Sequence, residues 1–413
     1  MYKRNLYQKK ISLFIDKPVI KVITGMRRVG KSCLLKLVME DILEGDTEEK
    51  QILYINRESL EYDFIKNYKD LYEYVKKRFN NIRGHKYLFI DEIQEIESWE
   101  KAVNSFFSQG DMDIFITGSN ANLLSSELAT LLSGRYVEIP VYSLGFSEFI
   151  RFRQKQHADK AENFKDYLKF GGLPALHAFD LNEEVVFQYL NSIYNTILLK
   201  DVIKRNNVRN VSLLENLTKY IFDNIGNIFS AKKITDYLKS QNLKVGVETV
   251  QNYLSYLIST FVIHKVPRYD IKGKRLLELH EKYYLGDIGL RHALLGFRES
   301  DISGILENIV FLELKRRGYT VHLGKMRNKE VDFIATKENK KIYIQVSYLL
   351  ASKETIEREF SVLQQIRDNY PKYVISMDSI FGHDFEGIKQ LNLVDFLMDK
   401  NNESHPHQKK KYI

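Results

Sequence analysis

Over its first 145 residues the chain alternates short apolar runs rich in β-branched residues with longer stretches of helical periodicity. The apolar runs fall at residues 19–24, 52–56, 87–91, 114–117 and 136–141, and helical patterns such as 32–43 and 71–79 lie between them. Strands separated by helices require crossover connections, which are right-handed and leave the strands parallel. The pattern predicts an α/β fold built on a parallel sheet of five strands, covered on both faces. From residue 146 to about 205 the spacing turns helical, and Gly171-Gly172-Leu173-Pro174 interrupts it as a helix stop and turn.

A different order follows. Helical patterns at 213–223, 231–240 and 247–259 precede two strand-like runs at 261–269 and 276–285, joined by a turn at 270–275. Three helices and a hairpin are the order of a winged helix-turn-helix. In its third helix Val250, Leu254, Leu257 and Ile258 would pack inward, leaving Gln251, Asn252, Ser255 and Tyr256 to face bases or phosphates. Lys272, Lys274 and Arg275 at the wing tip suit phosphate contact. That helix has no Arg or Lys and carries Glu248, so DNA binding and protein docking both stay open. A helix from 303 to 317, strands at 320–323, 330–335 and 341–347, a helix at 353–368, a strand at 373–377 and a polar tail complete the pattern. The expected divisions are a core at 1–145, a helical lid or connector at 146–210, the winged helix at 211–295, a small α/β domain at 296–400 and a basic polar tail at 401–413.

Composition narrows the class. At 413 residues, 44% hydrophobic and 28% charged, the chain has ample material for several buried cores. No apolar run approaches the roughly 20 residues that span a bilayer. The opening stretch, MYKRNLYQKKISLF, lacks the apolar core and small-residue cleavage site of a signal peptide, so a cytoplasmic, non-membrane protein is expected. The single cysteine, Cys33, excludes an internal disulfide and a cysteine-based metal cluster. The ten histidines show no metal-ligand spacing, and His405 and His407 sit in the polar tail. A net charge of +8 favours polyanions only modestly, since Lys409, Lys410 and Lys411 of the tail supply three of those charges.

The sharpest chemical signal is Gly25-Met26-Arg27-Arg28-Val29-Gly30-Lys31-Ser32, which follows an apolar strand and opens a helix. It fits G-x-x-x-x-G-K-[ST], in which two glycines let successive N–H groups converge on phosphates at the positive end of a helix. Lys31 would neutralise the β- and γ-phosphates and the Ser32 hydroxyl would ligate Mg²⁺, making ATP and Mg²⁺ the expected cofactors. The phosphate-binding set is Gly25, Met26, Arg27, Arg28, Val29, Gly30, Lys31, Ser32 and Cys33. Arg27 and Arg28 either assist the phosphates or pair with local carboxylates. Cys33, on the first helical turn, is expected to be a small buried packing residue.

A buried strand ends in Asp91-Glu92, at the strand end where open parallel sheets bind ligands. Asp91 would hold the Mg²⁺ through its water shell. Glu92 would orient and deprotonate the attacking water, worth roughly 10²–10⁴-fold.

With both motifs in place the chain resembles the AAA+ ATPases, the P-loop class with a catalytic Glu on the Walker B strand. That resemblance implies a polar sensor at the end of the next strand, here Asn120 or Ser119 in Thr117-Gly118-Ser119-Asn120. It also implies an arginine finger just before the last strand, reaching a neighbouring subunit's site in a homo-oligomer. Arg135, in Ser133-Gly134-Arg135, occupies that place, either as a finger or as a surface arginine. Over nearly its whole length the chain resembles prokaryotic AAA-type ATPases fused to a C-terminal domain of unknown function. The runs GMRRVGKS, LFIDEIQ, TGSN, SGR, GFSEF, KFGGLP, GILENIVFLEL and EVDFIA carry that likeness.

The family's terminal domain looks like a PD-(D/E)XK nuclease fold, which needs a helix Glu, a strand Asp and then [DE]-x-K on the next strand. Glu307 and Asp332 match, but the last element reads Gln345-Val346-Ser347. A neutral amide ligates Mg²⁺ poorly and no cation remains at Ser347, so the nuclease chemistry is expected to be lost. The expected function is an ATP-binding, hydrolysing ATPase whose C-terminal half engages DNA or a protein partner. An ATP-dependent nuclease and a non-hydrolysing switch or scaffold are the alternatives.

Overall fold

The computed structural model describes residues 2–121, 132, 134–153, 159–379 and 384–399. The basic tail, with His405, His407 and the three terminal lysines, and Ser133 of the finger motif lie outside them. The chain forms two compact units, each assembled from separated segments. The first comprises Met1–Ser143, Asn195–Asn207 and Tyr256–Val262; the second comprises Leu144–Tyr194, Val208–Ser255 and Ile263–Ile413.

In the first unit β1 (Ile20–Thr24), β2 (Ile52–Asn56), β3 (Lys86–Asp91), β4 (Met112–Gly118) and β5 (Tyr136–Pro140) form the expected five-stranded sheet. The order is β2-β3-β4-β1-β5, and every neighbouring pair is parallel. Both faces are covered, which is why these strands read as apolar runs rather than as an alternation. On one face Val22, Leu88, Ile90, Ile114 and Ile116 pack with Trp99, Val103 and Phe106. Phe89 and Phe115, neighbours across β3 and β4, stack at 4.5 Å. Because β4 lies between β1 and β3, its carboxyl end separates the loop after β1 from the acidic pair after β3.

The second unit holds a mixed sheet of nine strands among the described residues. They are β6 (Ile228–Phe229), β7 (Ile263–Asp270), β8 (Arg275–Leu285), β9 (Thr320–Met326), β10 (Lys329–Lys337), β11 (Lys340–Val346), β12 (Lys372–Ser376), β13 (Asp384–Phe385) and β14 (Ile388–Asn392). Their order is β13-β14-β12-β11-β10-β9-β7-β8-β6. The three helices expected before the β7–β8 hairpin are present at Val211–Asp223, Ala231–Ser240 and Val247–Ser259. Gln251, Asn252 and Ser255 are exposed as expected, Tyr256 is half-buried, and Lys272, Lys274 and Arg275 are exposed in and beside the hairpin turn.

Two features depart from the sequence reading. The hairpin does not stand apart from the later strands: β7 pairs in parallel with β9, Arg268 opposite Leu323, so one sheet runs through both regions. Pattern along a strand reports its faces, not which edge it will find. The stretch after β12, read as a polar tail, adds β13, β14 and the helix Leu393–Met398. Polar residues between the apolar ones hid β14, although Ile388 and Gln390 are both buried.

Inside β1 one residue breaks the apolar rule. Lys21 has no exposed surface; it forms an ion pair with buried Asp113 of β4 and lies 5.0 Å from the Phe115 ring. An ammonium in such a place is tolerable only while its counter-charge remains. Asp113→Ala should therefore cost about 3–5 kcal/mol in chemical denaturation. Lys21→Met added to that variant should recover most of the loss; an unaffected single variant would show the pair to be dispensable.

Candidate functional site

The loop between β1 and the helix Lys31–Leu43 is shaped by its two glycines. Gly25 has φ +147°, and a Cβ there would lie 2.2 Å from the Val141 carbonyl oxygen. Gly30 has φ +95° and immediately precedes the helix, a left-handed position that side chains disfavour. Met26 and Val29 point into the core, and Arg28 is exposed at φ +68°. From the amino-terminal segment, buried Arg4 donates to the Val29 carbonyl (2.9 Å) and to the Tyr142 carbonyl (3.0 Å), tying the loop to the chain after β5. Lys31 is buried; its Nζ donates to the carbonyls of Gly25 (3.0 Å) and Met26 (3.2 Å) and lies 3.5 Å from Glu92 Oε1.

Across the sheet edge Asp91 and Glu92 are both buried. Tyr54 of β2 donates its hydroxyl to Asp91 Oδ2 (2.9 Å), and Thr117 of β4 donates to Asp91 Oδ1. The same Thr117 oxygen accepts from the Glu92 amide (2.9 Å), so one hydroxyl fixes both acids. Glu92 itself has φ +55°, a strained backbone for a residue with a side chain. Its carboxylate accepts from Ser119 Oγ (3.0 Å) and from Gln94. Burial alone would raise its pKa, but Lys31, Gln94, Arg27 and Ser119 together hold it below the ordinary carboxylate range. The group is thus an anion kept in a dry place beside a lysine, suited to accept a proton from a hydrogen-bonded water. Asp91 offers hard oxygens with lone pairs beyond its two hydrogen bonds, and Ser32 is half-buried on the first helical turn, a donor set that fits Mg²⁺.

The structure brings together Gly25, Met26, Lys31, Asp91 and Glu92. Of the two sensor candidates, Ser119 bonds Glu92, and Asn120 is buried beside it in sequence. Arg27 does pair with carboxylates, Asp201 and Glu58. Cys33 corrects its expectation: it is exposed, because Leu34 and Leu35 take the helix face that meets the sheet. Arg135 is exposed, 5.7 Å from the Phe107 ring, and its carbonyl accepts from the Ile20 amide at the amino-terminal start of β1. The phosphate loop leaves the other end of that strand, roughly 17 Å away for five residues. Arg135 therefore cannot reach the loop of its own chain.

Sequence reasoning missed Tyr54, Thr117, Gln94 and Asp201. Thr117 could have been found, as the polar residue that closes β4 beside the acidic pair. Asp201, 174 residues from Arg27, left no local signal.

In the second unit the acids Glu307 and Asp332 converge on a lysine that no motif pointed to. Lys282 of β8 lies 2.6 Å from Glu330, 3.2 Å from Glu307 and 3.7 Å from Asp332. Tyr284 donates to the same Glu307 oxygen (2.9 Å). A register shift in β10 between Val331 and Ile334 re-aims Asp332, whose Oδ2 accepts from the Val346 amide (2.8 Å), while Gln345 accepts from the Asp332 amide (3.2 Å). Ser347 is buried and stands at the end of β11. Burial, with the charge of Glu307, drives the Asp332 pKa well up, and burial raises that of Glu307 despite Lys282. Both acids therefore hold their protons more tightly folded than unfolded, so the stability they lend at low pH is lost as pH rises from the unfolded-state values through the raised folded-state ones. Lys282→Met should destabilise the protein by about 3–5 kcal/mol at neutral pH, by leaving buried carboxylates uncompensated. The deficit should shrink when urea unfolding is repeated near pH 5; a deficit independent of pH would place the cost in packing instead.

A family model described as an AAA domain matches residues 17–150, and a model described as a domain of unknown function, DUF8612, matches residues 161–301. An uncharacterized protein of Haemophilus influenzae is 37% identical over 402 residues, covering 96% of this chain and 99% of that protein. An uncharacterized protein of Methanocaldococcus jannaschii is 32% identical over 409 residues, covering 95% of this chain and 88% of that protein. Among solved structures, the Aeropyrum pernix ORC1 protein in complex with DNA is similar over 71% of this chain and 92% of that one, at 13% identity and a TM-score of 0.32. No helix among the described residues is long and apolar enough to cross a membrane. The phosphate loop lies in the matched AAA domain, and the chain belongs to the family of the Haemophilus and Methanocaldococcus proteins.

Proposed function

We infer that the protein binds ATP with Mg²⁺ at the phosphate loop, hydrolyses it with Glu92 as the general base, and couples turnover to a partner held by its C-terminal half. The observation that carries this reading is the buried pair of Lys31 and Glu92, 3.5 Å apart, with Glu92 kept ionised and aimed by Ser119 and Gln94. A structural ion pair would not need an acid in a left-handed backbone, a conformation that costs about 1–3 kcal/mol and gathers at working sites. Ser32 and Asp91 would hold the metal, which supplies charge neutralisation at the phosphates when bound. Lys31 exchanges its loop carbonyls for phosphate oxygens, and Ser119 or Asn120 contacts the γ-phosphate. Because Arg135 lies at the far end of the sheet, its role as a finger requires a neighbouring copy of the chain.

For the partner, the helix face of Gln251, Asn252 and Ser255 and the basic turn of Lys272, Lys274 and Arg275 favour DNA, read in the manner of a winged helix. The nuclease alternative is disfavoured because Lys282 already supplies the cation among Glu307, Glu330 and Asp332.

Calorimetry should show Mg-ATP bound by the wild type and lost in Lys31→Ala. Glu92→Gln should keep ATP while hydrolysis falls by roughly 10²-fold or more. Binding by Lys31→Ala within threefold of wild type would remove the phosphate-loop assignment, and unchanged turnover in Glu92→Gln would move the base elsewhere. Steady-state ATPase rates should rise with added double-stranded DNA, and the rise should fade with salt; rates indifferent to DNA at low salt would point to a protein partner. Mixing Arg135→Ala with Glu92→Gln should restore partial turnover if the finger acts between copies, and co-assembled but inactive mixtures would end that idea.

A further inference from the structure

Arg27 lies within the phosphate loop, yet each nitrogen of its guanidinium donates to a carboxylate elsewhere. Nε and Nη2 donate to the two oxygens of Asp201 at 2.9 and 3.0 Å, and Nη1 donates to Glu58 at 2.9 Å. Arg27 is 7% exposed and Asp201 1%, so the bidentate pair is shielded from water and strong for its kind. Asp201 stands on an eight-residue π-helical stretch, Ile197–Lys204, longer than the single-turn bulges in which this winding is usually met. Arg205 approaches the same carboxylate at 3.8 Å, and Lys200 approaches Glu58 at 4.0 Å.

The place of this stretch in the chain gives the contact its meaning. Asn195–Asn207 is part of the first unit, but the sequence on both sides of it, Leu144–Tyr194 and Val208–Ser255, belongs to the second. The excursion is anchored at the loop by Arg27. The triphosphate of a nucleotide would bring several negative charges beside the same guanidinium. Phosphate oxygens would compete for its donors, and their charge would repel Asp201 in a medium where screening is weak.

We propose that the Arg27–Asp201 pair reads nucleotide occupancy: phosphates bound in the loop draw Arg27 away from Asp201 and loosen the π-helical segment, passing the nucleotide state along the chain into the second unit. This rests on the phosphate-loop reading above. The coupling is reciprocal, because whatever loosens the segment must also favour the nucleotide. Loss of the Asp201 charge therefore tightens nucleotide binding.

The test uses the full chain and Mg-ATPγS. Calorimetry first measures wild-type binding; if none is found, the phosphate-loop reading itself fails and the inference falls with it. With binding established, amide hydrogen exchange in residues 195–207 should speed up by roughly tenfold on saturation. Asp201→Asn should exchange faster in that segment without nucleotide and respond little to it, and should bind Mg-ATPγS about 5-fold more tightly or better, within the usual range of coupling. Slower or unchanged wild-type exchange in 195–207 with nucleotide demonstrably bound would overturn the proposal. Unchanged or weaker affinity in a folded Asp201→Asn would overturn it too. The wild-type exchange measurement decides the matter even if that variant does not fold.

Discussion

A charge taken out of water has to be answered inside the protein, and the carboxyl edge of the parallel sheet is organised around that requirement. Lys31, Arg27, Asp91 and Glu92 are all buried there, two cations against two anions, with Asp201 set against Arg27. Removing any one of them would leave a buried charge unanswered. The strand order makes the balance attainable: β4, inserted between β1 and β3, brings Thr117 and Ser119 between the loop and the acids. The glycines contribute by subtraction. Without side chains at Gly25 and Gly30 the loop lies close to Val141 and turns directly into the helix that carries Lys31.

The same rule reappears where no nucleotide chemistry is at stake. Lys21 and Asp113 answer each other across β1 and β4 inside the sheet. In the second unit Lys282 stands among Glu307, Glu330 and Asp332, the place where a metal ion would otherwise balance such acids. There the cation is covalently part of the chain and does not depart. The contrast with the phosphate loop is instructive, because Lys31 is held by carbonyls and one carboxylate that a better anion can outcompete.

Local chemistry was legible in the sequence and long-range pairing was not. The five parallel strands lie within a few residues of the apolar runs, because burial on both faces writes itself as uninterrupted hydrophobicity. Lys31, Asp91 and Glu92 could be named because a turn, a helix start and a strand end each have a fixed residue grammar. The β7–β9 pairing, Lys282 among the acids and Asp201 under Arg27 were invisible for one reason: each joins residues that carry no local pattern announcing the partner. Cys33 shows a smaller failure of the same sort, since helix spacing alone does not say which side will meet the sheet.

The interleaving of segments also has a consequence for how the protein is made. The phosphate loop leaves the ribosome early, but the carboxylate that neutralises Arg27 follows 174 residues later, and the last piece of the same unit is Tyr256–Val262. At translation speeds of about 5–20 residues per second, the nascent loop waits roughly 10–35 s for Asp201. During that interval the emerging sheet carries a guanidinium that has Glu58 but lacks the buried carboxylate of its bidentate pair. The first unit thus cannot finish folding as an amino-terminal domain released in order; its completion is a late event of synthesis, timed by sequence that belongs mostly to its neighbour.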